Sequence, residues 1–165
     1  MTQKTPFEQL VSYLTDVHST EQNALTQLKT GAETAGHPRL AEAFREHLAE
    51  TQEQERLVRE RLKAHDAEPS KLKDAAQKGG AMVTGTVAKA APDTTGKLAI
   101  QAYAFEHLEI ASYRMLRVVA ERAGDQETAR VAEQILAQEQ EAASKLDALL
   151  EEVSAYDVDQ QQAAA

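Results

Sequence analysis

The chain has 165 residues and a net charge of -9, with no cysteine, no tryptophan and only 4% aromatic residues. This length suits one domain with a sizeable core, and the composition favours helix packed on helix over a sheet. The acidity argues against nucleic acid or an anionic membrane as a main partner, and the lack of cysteine removes disulfides, thiolate metal sites and a Cys nucleophile.

Thr5-Pro6 reads as a helix start, with Thr5 as N-cap and Pro6 in the first helical position. Leu10, Leu14, Val17, Glu21, Ala24 and Leu28 follow at steps of three or four, which puts them on one face. This first helix is expected to run to about Lys29, with Gly31 and Gly36 as breakers. Pro38 opens a second helix, whose stripe is Leu40, Phe44, His47, Glu50, Thr51, Gln54, Leu57 and Leu62. It is expected to end near Ala64.

Residues 65–96 differ in character, with Gly79-Gly80, Gly85, Pro92 and Gly96 as breakers. They read as a long surface crossover, with short helices at 70–78 and 81–91. A third helix is expected from Thr95 to just before Gly124, with Leu98, Ala102, Phe105, Glu109, Ser112, Leu116 and Val119 as its stripe. Glu106 lies one turn before Glu109. Asp125 caps a fourth helix, expected to reach about Ala155, on which Ala132, Ile135, Glu139, Ala142, Leu146, Leu149 and Val153 share a face. The domain is taken as residues 1–156, and the low-complexity tail 157–165 is expected to fray. The start of the chain is polar, and no apolar run approaches the roughly 20 residues of a membrane span. A cytoplasmic protein is expected.

Two helix pairs with short internal loops and one long connection describe a bundle with a crossover between helices two and three. Its stripes carry carboxylates where apolar side chains belong. An unpaired buried carboxylate is costly enough to favour its protonated form. Glu21 lies about as far before the end of helix one as His47 lies beyond the start of helix two. Glu109 and Glu139 are equidistant from the Gly124 turn. With helices two and three parallel, Glu106 and Glu109 come level with His47 and Glu50. The anomalies therefore converge on one layer, and several carboxylates with one imidazole suit iron, manganese or zinc. The competing reading is a set of interface carboxylates that reach solvent or pair with arginine, with His47 a core histidine bonded to one of them.

The run His47-Leu48-Ala49-Glu50-Thr51, the run Glu106-His107-Leu108-Glu109-Ile110 with Tyr113, and the Glu139 segment resemble the bacterial YciE/YciF family of the ferritin-like superfamily. The resemblance covers about residues 7 to 153. It implies an all-α, ferritin-like four-helix bundle, a homodimer, a rubrerythrin-like dinuclear metal site and expression under stress. It makes Glu21, Glu50, Glu106 and Glu139 core ligands, with His47 and Glu109 beside them. Two departures stand out. Helix two reads His47-x-x-Glu50 where the superfamily usually has Glu-x-x-His, and helix four has Ala142 where a histidine would fall. Glu53 is a substitute ligand nearer the flank. His18 and Tyr113 lie one turn from Glu21 and Glu109.

The function expected is a protein holding two divalent metal ions, iron first, that acts on dioxygen or peroxide. The alternatives are a non-enzymatic helical stress or interaction module with a structural metal or none, and a metal buffer without turnover.

Overall fold

A computed structural model of the chain describes residues 4–67 and 93–163. It contains α1 (Pro6–Thr34), α2 (Pro38–Ala64), α3 (Thr95–Ala123), α4 (Gln126–Asp147) and α5 (Leu150–Ala163). There is no strand among the described residues, and none of these helices is long and apolar enough to cross a membrane. Of the expected crossover, the two short helices at 70–78 and 81–91 lie outside the described residues.

Local chemistry sets most helix ends. At the start of α1, the Glu8 N–H donates to Thr5 Oγ1 (3.2 Å) and the Thr5 N–H donates to Glu8 Oε2 (2.8 Å), a reciprocal capping box. Gly124, at φ 78°, closes α3 in the left-handed region that favours glycine. Asp125 accepts from the Thr128 N–H at 3.0 Å and caps α4.

Three expectations need correction. First, α1 does not stop near Lys29; it continues through Gly31 to Thr34. Gly31 is buried, and a Cβ there would stand 2.8 Å from the Phe44 ring. The glycine admits α2 at close range and does not end the helix. Second, the fourth helix breaks at Ala148–Leu149, where the Leu149 N–H bonds back to Leu146 O, a tighter turn than the α-helix makes. Leu149 and Val153 stay buried across the break. Third, the tail does not fray from residue 157, because α5 runs to Ala163. The Asp157 carboxylate accepts from the Thr95 and Gly96 N–H groups at the start of α3, and the Tyr156 hydroxyl donates to Gly36 O.

The stripes of α1 and α4 are buried as read. On α3 the buried line runs through Ala99, Glu106, Glu109, Ile110, Tyr113, Leu116 and Ala120, about one position round from the stripe expected. This helix also carries exposed Ile100, Met115 and Val118, so its apolar pattern marks no single face.

Packing joins α1 to α2 and α3 to α4, with α1 also against α3 and α2 against α4. Arg61 meets Asp125 while His47 approaches Glu139, so α2 runs opposite to α4 and hence parallel to α3. Apolar side chains form two clusters. One, near the Gly124 turn, includes Leu14, Leu62, Leu116 and Ile135; the other, at the far end, includes Leu28, Phe44, Leu146 and Val153. The polar layer lies between them.

The Gly124 end is tied by Asp125, which accepts from Arg61, Thr128 and His65. Burial pushes its pKa up, but the hydrogen bonds from Thr128, His65 and Arg61 outweigh this and hold it well below the ordinary 3.8. Asp125→Ala should cost about 1–2 kcal/mol in denaturant unfolding at pH 7, the range of a lost N-cap. A depressed carboxylate stabilises the fold above its unfolded pKa and ceases to as pH falls through its folded value. The gap between parent and variant should therefore hold at neutral pH and shrink as pH drops below 3.8.

Candidate metal centre

Four helices each send polar side chains into the layer between the two apolar clusters. α1 supplies Glu21, α2 supplies His47, α3 supplies Glu106 and Glu109, and α4 supplies Glu139, all buried. His47, Glu106, Glu109 and Glu139 each offer one ligand atom within 4.8 Å of the others. His47 Nε2 stands 3.0 Å from Glu106 Oε2 and 3.3 Å from Glu139 Oε2, yet none of the three atoms makes a well-directed hydrogen bond. Glu21 Oε2 and Glu109 Oε1 are likewise buried without a partner. Among the described residues, no Lys or Arg pairs with any of these four glutamates.

Buried polar groups nearly always find partners, and each unsatisfied one carries a desolvation penalty. Here four such residues, His47, Glu106, Glu109 and Glu139, come together from three helices, with Glu21 of α1 beside them. Ligand-type atoms within 4.8 Å of one another, with no well-directed hydrogen bond between them, could surround a cation. Carboxylate oxygens with one imidazole nitrogen are a donor set for iron, manganese or zinc.

The electrostatics agree. Burial raises the Glu21 pKa from 4.5 to about 8, the Tyr113 hydrogen bond opposes this, and Glu139 and Glu106 add to the rise. Burial also raises Glu106 to about 7 against the pull of His47. Glu109 is pushed well above its ordinary value by burial, then by Glu139, Glu21 and Glu106. Burial opposes a charge on His47, but Glu106 and Glu139 outweigh it and raise its pKa to about 12. Without a metal, protons are what neutralise the layer.

Three side chains frame it. The Tyr113 hydroxyl, buried and kept protonated by burial and by Glu21, donates to Glu21 Oε1. Gln54 Nε2 donates to Glu139 Oε1 at 2.5 Å. Glu50 is not among the converging donors. Its side chain is 36% exposed, and its Oε2 lies 3.1 Å from His47 Nδ1, on the outer edge of the ring. Glu21 and Glu50 therefore flank the four-residue cluster, one bonded to Tyr113 and the other to His47.

The remaining candidates lie elsewhere. His18 meets Glu55 at 3.2 Å, in a separate polar group with Gln22. Glu53 is exposed and bound by Arg56. His107 is exposed against Tyr103. Sequence reasoning missed Gln54. It stood in the helix-two stripe, but as a neutral amide it carried no charge anomaly to mark it.

Residues 5–159 match the protein family described as "Domain of unknown function (DUF892)". The chain belongs to this family. Its motifs resemble YciE/YciF, and the similar solved structures agree with that. A protein of Xanthomonas campestris pv. campestris is 33% identical over 95% of this chain and 98% of its own, with a TM-score of 0.79. The E. coli stress protein YciF is 23% identical over 90% of this chain and 96% of its own, with a TM-score of 0.70. A ferritin-like, diiron-carboxylate protein from Bacillus anthracis is 17% identical over 90% of this chain and 99% of its own, with a TM-score of 0.73. The fold is a ferritin-like four-helix bundle.

A carboxyl group with a raised pKa holds a proton in the folded state that the unfolded chain has released, so stability falls as pH rises between the two values. Metal-free protein should therefore lose thermal stability as pH rises from 4.5 towards about 8, the interval spanned by Glu106 and Glu21. His47 acts in the same sense, since its contribution is complete below 6.5 and declines above it. Melting curves in chelator-treated buffers check this, and a midpoint that climbs with pH would contradict it.

Proposed function

We propose that this layer holds two divalent metal ions, in first place iron, and that the protein acts on dioxygen or peroxide. The observation that carries the reading is the cluster of His47, Glu106, Glu109 and Glu139, with Glu21 beside it, each with a buried donor atom that no partner among the described residues satisfies. The Bacillus anthracis neighbour, named for a diiron-carboxylate site, supports the choice of iron. The E. coli neighbour, named as a stress protein, supports a role under stress. A cytoplasmic homodimer completes the reading.

Each residue has a task that its contacts define. A proton on His47 Nδ1 donates to Glu50, which fixes the ring and leaves the Nε2 lone pair for a metal. Glu106, Glu109 and Glu139 offer charged oxygens from two helices, and Gln54 holds Glu139 in place. Tyr113 keeps one oxygen of Glu21 occupied and leaves the other open to the layer. The apolar clusters above and below keep bulk water out. Bound iron would supply the redox chemistry itself, while the protein sets geometry and access.

Anaerobic titration of chelator-treated protein with iron(II) tests the reading. Two irons per chain are expected, with an absorbance change on exposure to oxygen. Free metal at about 100 times its Kd should raise unfolding stability by about 2.7 kcal/mol. Uptake should release protons and weaken as pH falls, because metal and proton compete for the same atoms. Glu139→Ala should abolish uptake, because it removes one of the four clustered ligand residues. No binding at all, with an unmoved melting temperature, would leave a helical module without a metal. Uptake without reaction would make the protein a metal buffer.

A further inference from the structure

The polar layer does not fill its space. Between α2 and α4 lies a cavity of about 10 Å³, room for the centre of one water-sized group. Its inner wall is His47 and Glu106, both buried, each with an unpartnered atom. Phe44 and Leu146 make its sides apolar, and Ala142 on α4 leaves the gap that a longer side chain would close. Half-exposed Glu50 and Lys145 stand at its outer end. Lys145 is drawn outward, with Nζ 3.6 Å from Glu46 and 3.3 Å from Glu141, so it does not plug the opening.

We infer that this cavity, beside Ala142, is where an uncharged molecule the size of water or dioxygen reaches the metal layer from the α2–α4 side. The inference rests on the metal-binding reading above and adds the place and the class of the incoming ligand. Size excludes organic substrates. At the outer end the Lys145 charge stands beside that of Glu50, so selection against ions comes from the apolar sides. Apolar sides suit a neutral molecule, and buried His47 and Glu106 line the end where it meets the layer.

Two substitutions fill the cavity from facing walls, Ala142→Val on α4 and Ala43→Val on α2. Neither removes a metal-ligand candidate. Each is loaded anaerobically with iron(II), its iron content is measured, and nitric oxide, a neutral diatomic, is titrated while the absorption spectrum is followed. Parent protein should bind nitric oxide. A filled variant that retains the parent's iron content should bind it at least about tenfold more weakly, the scale of forcing a ligand into an overpacked site. Ala142→Gly, which leaves the cavity open, should bind like the parent. Filled variants that retain both iron and parent affinity overturn the inference, as does an iron-loaded parent that binds no nitric oxide. Loss of iron in both filled variants overturns it too, since the cavity would then be part of the metal's own support. A parent that takes up no iron instead overturns the metal-binding reading, and iron content alone shows which of the two has failed.

Discussion

Buried acidic groups short of hydrogen-bond partners are the constraint around which the bundle is arranged. Glu21, Glu106, Glu109 and Glu139 are taken out of water together, and among the described residues His47 is the one cationic group in close range of any of them. A layer of apolar residues in their place would pack with less strain. Four helices nonetheless converge on it, with apolar clusters on both sides to hold it shut. The protein thus carries a local instability that surrounding packing offsets, the usual condition of a site organised for binding.

Positioning comes from features remote from the site. The capping box at Thr5, the left-handed Gly124 and the Asp125 cap fix where three helices begin or end. Those boundaries set the heights at which Glu21, Glu109 and Glu139 project. Gly31 lets α2 come close to α1 through Phe44, three residues before His47. Arg61 and His65 then tie the far end of α2 to the cap of α4. The layer is held between these two ends.

Much of this was legible in the sequence because both signals are strong there. Prolines and capping residues announce helix starts, and a glutamate inside an apolar stripe stands out when the rest of the stripe is clean, as on α1 and α4. On α3 the stripe was not clean. Ile100, Leu108, Met115 and Val118 blur its faces, and the buried line falls about one position away from the one expected. Gly31 misled because a glycine that breaks a helix and one that admits a neighbour look alike until the neighbour is in place. Glu50 and His47 are one turn apart, and only the structure separates the inner edge of the imidazole from the outer. Gln54 was invisible for want of charge.

The bond from Asp157 to the first N–H groups of α3 gives the end of the chain a structural duty. Those groups begin the helix that carries Glu106 and Glu109, and a carboxylate there also complements the positive end of the helix dipole. Trimming the chain just ahead of Asp157 would leave the Thr94 cap in place but deprive the Thr95 and Gly96 N–H groups of their partner, some ten residues from the first glutamate the helix presents (~1.5 Å of rise each). A fusion or tag attached to this protein is accordingly safer beyond α5 than in place of it.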